Sequence, residues 1–173
     1  MKVAVFLGAQ NPKLSIYVEI VRKIGEMIGK KGHTLVFGAS SSGLMKTICD
    51  SAKDNGAHVI GIAPEFFKDI ANPRCDELEV VPTMGIRKQR MAELSDIFVI
   101  APGGFGTLEE ATDVMSWKRM GIIKGKTVFI NHDGFYEPIK QIMKRMIEDE
   151  FIKDTVLQDV LFVDTVEGLE NYI

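Results

Sequence analysis

The sequence has 173 residues, of which 46% are hydrophobic and 26% charged, and this size and composition predict one globular domain spanning residues 1–173. The net charge of -3 comes without a basic run, which argues against nucleic-acid binding, and no stretch approaches the ~20 apolar residues of a membrane span. Cys49 and Cys75 lack C-x-x-C spacing and the three histidines are far apart, so we expect free thiols, a cytoplasmic protein and no metal site.

Short apolar runs alternate with longer helical patterns along the chain. The runs are mostly uninterrupted, which is typical of strands that are buried on both faces of a parallel sheet. The alternation predicts an α/β fold with a doubly wound, mostly parallel sheet and helices on both faces. The predicted strands are Val3–Leu7, Leu35–Phe37, Val59–Ile62, Leu78–Val81, Ile97–Ala101, Val128–Ile130 and Val160–Val163.

Apolar periodicity and capping residues predict the helices. Asn11 followed by Pro12 indicates the start of the first helix, which carries isoleucines at four-residue spacing and ends at Gly32. The fourth is expected to start after Gly106, and a short last helix near Val166. The stretch 63–77 lacks helical periodicity and is predicted to be a surface loop that borders a site. The remaining helices are predicted at about 43–54, 84–94 and 136–148.

A glycine-rich turn follows the strand Ile97–Ala101. In Pro102-Gly103-Gly104-Phe105-Gly106-Thr107 the glycines allow the backbone to approach an anion, and the start of the next helix offers free N–H groups and a favourable dipole. The pattern is neither the G-x-G-x-x-G fingerprint nor a P-loop, because no third spaced glycine and no Gly-Lys-Ser/Thr follow. We therefore predict a phosphate-binding turn, with a tight turn that only permits packing as the alternative.

Acidic residues come directly after this turn. A helix that begins at Thr107 would place Glu110 three residues on, so Thr107 and Glu110 fit a capping box. The functional interpretation is that Glu110 reaches a ligand held by the turn and orients or deprotonates water. Asp113 lies one helical turn further and is a weaker acid–base candidate, with a solvated position as the alternative.

Two further turns between a strand and a helix are candidates for ligand contacts. After Val81, Thr83 is a plausible N-cap, and Arg87 and Arg90 share one helix face, where an arginine can hold a phosphate or a sugar hydroxyl. A solvated basic face is the alternative. The turn 38–45 is rich in serine hydroxyls and could surround a phosphate or ribose, although a plain flexible turn explains it equally well.

The run from Pro102 to Glu110 resembles the P-G-G-x-G-T-x-x-E motif of the LOG family, the cytokinin-activating nucleoside 5'-monophosphate phosphoribohydrolases, whose members are often mislabelled lysine decarboxylases. The resemblance extends over nearly the whole chain. It implies a Rossmann-like fold, a homodimer, and no metal or other cofactor. The implied reaction is hydrolysis of the N-glycosidic bond of an AMP-like purine or N6-modified purine nucleoside monophosphate, which gives free base and ribose 5-phosphate.

The same resemblance implies the site residues. Arg87 and Glu110 match the family's catalytic pair, while Asp69 and Ser116 fall where the family has an acidic and a hydroxyl contact. The predicted substrate-binding residues are Gly43, Asp69, Met84, Lys88, Gly103, Gly104, Phe105, Gly106, Thr107, Leu108, Glu109 and Ser116.

The sequence departs from the family pattern at two places. The family's M-H-E-R-K is Met84-Gly85-Ile86-Arg87-Lys88 here, and its G-G-G-x-x-G-L-M turn is Gly38-Ala39-Ser40-Ser41-Ser42-Gly43-Leu44-Met45. These changes leave a binding protein as an alternative, namely a carrier or sensor of a nucleotide-like cofactor similar to the molybdenum-cofactor carriers. A pyridoxal-phosphate lysine decarboxylase would need a Schiff-base lysine motif, and the sequence has none.

Overall fold

The computed structural model describes all 173 residues and consists of one seven-stranded sheet with five α-helices. Each predicted strand is confirmed, with its ends shifted by at most two residues. The strands are β1 (Lys2–Phe6), β2 (Thr34–Phe37), β3 (His58–Pro64), β4 (Glu77–Val81), β5 (Ile97–Ile100), β6 (Lys126–Ile130) and β7 (Val160–Val163). The helices are α1 (Ser15–Lys30), α2 (Gly43–Asp54), α3 (Met84–Leu94), α4 (Phe105–Arg119) and α5 (Glu137–Glu148).

The strand order creates a crevice in the middle of the sheet. All strands are parallel and the order is β4-β3-β2-β1-β5-β6-β7. Val3 of β1 pairs with Leu35 of β2 on one side and with Ile97 of β5 on the other. The chain therefore leaves β1 in one direction and β5 in the other, and such a switch point is where open α/β sheets bind ligands. The prediction of a doubly wound α/β fold is confirmed.

Two apolar layers cover the faces of the sheet. Successive strand residues point to opposite faces, so Val3 and Val5 belong to one buried cluster while Ala4 and Phe6 belong to the other. Helices α1 and α2 cover the first face, with Ile24 among their buried residues. Helices α3, α4 and α5 cover the second face. Because helices cover both faces of the sheet, the strands appear in the sequence as continuous apolar runs.

The predicted start of α1 is wrong by three residues. The helix begins at Ser15 with Leu14 in the N-cap position. It ends at Lys30, two residues before Gly32, which has a left-handed φ of +66° that favours glycine. Asn11 therefore caps no helix. The residues before Ser15 pass over the crevice instead, and Pro12 lines the cavity described below, so tertiary contacts override the local capping pattern.

The predicted start of α4 after Gly106 is wrong by two residues, and the capping box, the alternative role for Glu110, does not form. The helix starts at Phe105 with Gly104 as the N-cap residue, which makes Thr107 the third helical residue. No side chain caps this helix start. The Thr107 hydroxyl lies against the Cα of Gly103, where an added Cβ would come within 2.1 Å of Oγ1. Glu110 therefore does not cap the start of α4.

The remaining segments differ from the predictions in detail. The stretch 63–77 contains the end of β3 and a 3₁₀ turn, Glu65–Ile70, and the last predicted helix is the 3₁₀ turn Glu167–Asn171. A backbone bridge between Ser40 and Ala71 ties the loop after β2 to the segment after β3. None of the helices combines the length and the apolar character needed to cross a membrane.

Candidate active site

A cavity of about 700 Å³ opens at the carboxyl edge of the sheet, above the switch point. The loops that follow β1, β2, β3, β5 and β6 form its walls, together with the first turns of α3 and α4. All three turns singled out in the sequence, 38–45, 82–88 and 102–110, contribute to its lining. The sheet topology brings these turns together because parallel strands end at the same edge.

The glycine-rich turn presents a row of free backbone donors. The N–H groups of Gly103, Gly104, Phe105, Gly106 and Thr107 have no hydrogen-bond partner, and the next one, on Leu108, donates to the Gly104 carbonyl. The first N–H groups of a helix lack intrahelical acceptors, and here they coincide with the positive end of the dipole of a fifteen-residue helix. Free N–H groups at the positive end of a helix dipole favour a negative charge at this position.

Glycine is required where this turn meets the loop after β1. The Gly8 N–H donates to the Pro102 carbonyl at 3.3 Å, so the two loops of the switch point are joined. A Cβ on Gly103 would lie 2.8 Å from the Gly8 nitrogen and 2.1 Å from the Thr107 hydroxyl. By contrast, nothing lies within 4 Å of a Cβ added at Gly104 or Gly106, which leaves room for a ligand above them.

Arg87 and Glu110 form a buried ion pair beside the turn. Arg87 is 4% and Glu110 7% exposed, and Arg87 Nη1 donates to Glu110 Oε1 at 3.1 Å. Arg87 Nε donates to the Ile62 carbonyl at the end of β3 at 3.1 Å. Its third nitrogen, Nη2, has no protein acceptor and lies over Gly38, where a Cβ would come within 1.6 Å of it. The guanidinium is therefore fixed on two sides and free on the third.

Burial changes the acid–base behaviour of Glu110. Removal of the carboxylate from water raises the pKa of Glu110 to about 7, against the opposing effect of the Arg87 charge. Its second oxygen, Oε2, has no protein donor and is open to the cavity. A carboxyl group that exchanges its proton near neutral pH and faces a cavity has the properties of a general acid or base.

A second set of charges links α3 to α4 at the cavity wall. Lys88 Nζ contacts Glu109 Oε1 at 2.8 Å and Asp113 Oδ2 at 2.6 Å. Burial alone would lower the pKa of Lys88, but its hydrogen bonds to Asp113 and Glu109 raise the pKa above its usual value. Asp113, a candidate acid or base in the sequence, is thus an ion-pair partner of Lys88. Arg90, the other arginine of α3, pairs with Glu79 and Glu93 and stays outside the cavity.

Nine of the fourteen predicted site residues line the cavity, and the other five do not. The other five are exposed to solvent or pack against other parts of the chain. Phe105 is 93% exposed, Ser116 lies exposed on α4, and Asp69 lies exposed on the turn Glu65–Ile70. Leu108 is partly buried against the core, and Gly43 packs against the Ala9 carbonyl. The nine lining residues are Met84, Arg87, Lys88, Gly103, Gly104, Gly106, Thr107, Glu109 and Glu110.

Sequence reasoning missed several lining residues. The loop after β1 contributes Gly8, Ala9 and Gln10, and its place next to the switch point was the signal that could have found it. Tyr17 and Phe135, whose rings meet edge to face with centroids 5.7 Å apart, also line the cavity, as do Phe67 and Ile70 of the turn after β3. No local pattern distinguishes these aromatic residues from core residues.

The two departures from the family pattern affect the site differently. Neither Gly85 nor Ile86 lines the cavity, and a Cβ on Gly85 would meet only the Thr83 hydroxyl, at 3.8 Å. Ala39 does line it and has a φ of +61°, a left-handed conformation that costs about 1 kcal/mol or more for an alanine. Its carbonyl accepts from the Asn72 N–H at 2.7 Å, which holds this strained residue in position.

The fold and the cavity together define an α/β protein with a turn of free backbone N–H groups and a buried Arg–Glu pair at a sheet switch point. A family model described as "Possible lysine decarboxylase" matches residues 45–173. A cytokinin riboside 5'-monophosphate phosphoribohydrolase of Arabidopsis thaliana is 32% identical over 99% of this chain and 82% of its own length. The enzyme of that name from Rhodococcoides fascians is 34% identical over 96% and 85%.

The chain therefore belongs to the LOG family, as its glycine-rich motif predicted. Solved structures add a likeness of fold. The molybdenum-cofactor carrier protein of Chlamydomonas reinhardtii superposes with a TM-score of 0.75 over 98% of this chain and 93% of its own, at 19% identity.

Proposed function

We propose that this protein hydrolyses the N-glycosidic bond of a purine or N6-modified purine nucleoside 5'-monophosphate, giving free base and ribose 5-phosphate. The observation that carries the proposal is the buried Arg87–Glu110 pair facing the same cavity as five free backbone N–H groups. A phosphate site beside a carboxyl group that titrates near neutral pH fits a phosphorylated substrate that reacts with water. The names of the curated relatives support the same reaction.

The strand order orients the substrate. The phosphate turn follows β5, whereas Arg87 donates to the end of β3 and lies over Gly38, which follows β2. Neighbouring strands are about 4.8 Å apart, so β3 lies roughly 14 Å from β5. In a nucleoside monophosphate the reacting C1' lies between phosphate and base. With the phosphate on the turn and C1' near Arg87 and Glu110, the base points towards Phe67 and Ile70.

Each group then has a defined role in the proposed reaction. The free N–H groups of the turn hold the phosphate, and Arg87 fixes Glu110 and offers Nη2 to the ribose phosphate portion. The bond between C1' and the base nitrogen breaks with its electron pair on the base, through an oxocarbenium-like sugar. Water bonds to C1' and passes a proton to Glu110 Oε2. The departing base nitrogen takes up a proton from the solvent, and Glu110 later returns its proton to the solvent, so that one water is consumed.

The remaining parts of the proposal concern binding and assembly. Met84, Phe67 and Ile70 give the base an apolar surface, and Lys88 holds Glu109 at the cavity wall. A homodimer is proposed as well, supported by the exposed apolar residues Phe105 and Ile86 at the starts of α4 and α3. A cytoplasmic location is also proposed, supported by the two free cysteines. Sedimentation of the purified protein at the monomer mass would contradict the dimer.

The test is incubation of the purified protein with AMP, other nucleoside monophosphates and an N6-prenyl AMP, followed by chromatography of base and ribose 5-phosphate. Glu110→Gln keeps the shape of the side chain and removes its acid–base chemistry, so kcat should fall about a thousandfold or more while AMP still binds. Glu170→Gln, at an exposed carboxylate without an ion pair, is the matched control. Wild-type turnover in Glu110→Gln would refute the catalytic role. Binding without release in the wild type would favour the carrier alternative.

A further inference from the structure

Tyr136 connects the core to the glycine-rich turn. Its side chain is 1% exposed, and its hydroxyl donates to the Ala101 carbonyl at 2.7 Å. Ala101 is the residue directly before Pro102, where the turn begins. The hydroxyl therefore fixes the peptide from which the row of free N–H groups starts.

Three hydrogen bonds hold the backbone of Ala101 and Pro102. Besides the bond from Tyr136, the Ala101 N–H donates to the Phe6 carbonyl at 2.9 Å, and the Pro102 carbonyl accepts from Gly8 at 3.3 Å. The first and third of these bonds come from side-chain and loop atoms rather than from sheet pairing. Beyond them no backbone N–H donates a hydrogen bond until that of Leu108. The direction of the free donors depends on these few contacts.

Tyr136 is itself rigidly placed. Its backbone N–H donates to Asn131 Oδ1 at 2.7 Å, and the Asn131 N–H donates to the Val163 carbonyl at 2.8 Å. The ring of Tyr136 packs edge to face against Phe129 and Phe135, with centroid distances of 5.1 and 4.9 Å. A hydroxyl on a ring held this firmly can set the position of its acceptor, because little freedom remains on the donor side.

We propose that Tyr136 is a positioning residue for the phosphate-binding turn: its hydroxyl holds the Ala101 carbonyl so that the N–H groups from Gly103 to Thr107 converge on the 5'-phosphate of the substrate. The proposal rests on the proposed function, because it takes the phosphate to bind at this turn. It assigns a part in substrate binding to the segment after β6, from which Phe135 also lines the cavity.

The test compares Tyr136→Phe with the wild type in AMP hydrolysis and in AMP binding by calorimetry. Loss of one buried hydrogen bond to the turn should raise KM and Kd for AMP about tenfold, while kcat stays within about twofold, because Arg87 and Glu110 keep their own contacts. Tyr172→Phe is the matched control, since the Tyr172 hydroxyl makes no hydrogen bond and its ring packs against the core. Urea unfolding of each variant establishes that the molecules assayed are folded.

The possible outcomes separate the two proposals. Unchanged KM and Kd in a folded Tyr136→Phe would overturn the positioning role, as would a loss confined to kcat. A purely structural role would lower the unfolding midpoint and leave Kd for AMP unchanged. If the wild type binds AMP but releases no base, the proposed function fails, while the Kd comparison still decides the role of Tyr136. A wild type that does not bind AMP overturns both.

Discussion

Glu110 should destabilise the folded protein as the pH rises, and Glu110→Gln should remove that effect. Burial raises the pKa of Glu110 from its ordinary value of 4.5 to about 7 in the folded state. Between these two values the folded protein binds a proton that the unfolded chain has released. Stability from this group is therefore complete below about pH 4.5 and is lost as the pH rises through about 7.

The magnitude follows from the distance between the two pKa values of Glu110. At about 1.4 kcal/mol for each pH unit, the ionised carboxylate costs about 3 kcal/mol of folding free energy at pH 8. A glutamine has the shape of the protonated acid, and its side-chain carbonyl can still accept from Arg87 Nη1. Glu110→Gln should thus match the wild type near pH 4.5 and exceed its free energy of unfolding by about 3 kcal/mol at pH 8.

Urea unfolding of both proteins at half-unit steps from pH 4.5 to 8 measures this difference. The other titrating groups contribute equally to both curves, so the difference isolates position 110. Glu170→Gln, which removes an exposed and unpaired carboxylate, should follow the wild type within about 0.5 kcal/mol at every pH. A difference that stays constant across the range, or that favours the wild type at high pH, would contradict this prediction and show that pairing with Arg87 outweighs desolvation of Glu110.

Substitutions at glycines test the packing of the site. Gly38→Ala places a methyl 1.6 Å from Arg87 Nη2, so the guanidinium must move. The kcat/KM for AMP of the folded variant should therefore fall at least about a hundredfold. A substitution that affected only the stability of the fold would leave kcat/KM of the folded molecules unchanged. Gly103→Ala forces a Cβ to within 2.1 Å of the Thr107 hydroxyl and should cost about 2 kcal/mol or more in urea unfolding, whereas Gly104→Ala, with nothing within 4 Å, should cost under about 1 kcal/mol. Equal stability of the two alanine variants would contradict the packing described for the turn.

The sheet was predictable because its signal is local. Runs such as Ile97–Ala101 are apolar on both faces, and only a covered parallel sheet buries them, so strand number and fold class followed from pattern alone. The starts of the helices were harder to predict from the sequence. Asn11 and Thr107 have the right residue types for N-caps, yet in the structure Pro12 lines the cavity and Thr107 packs on Gly103. Long-range contacts decide these positions, and capping patterns do not contain them.

The candidate site shows the same division. The turn at Gly103 and the charged residues Arg87 and Glu110 stood out because their residue types and spacing suggest chemistry on their own. Phe67 and Phe135 did not, since an aromatic residue after a strand usually belongs to the core. Their positions at the cavity depend on the strand order, which places the ends of β3 and β6 on either side of the switch point.

The central position of β1 has a consequence for how the molecule is made. β1 pairs with β2 early in the chain, but its second partner, β5, follows about ninety residues later, as in the pair Val3 and Ile97. During synthesis the first four strands leave the ribosome with one side of β1 unpaired, and contacts this distant in sequence form slowly. The cavity comes into being only when β5 docks on β1. A nucleotide that binds only the docked state would then act as a folding ligand, drawing newly made chains towards completion by mass action.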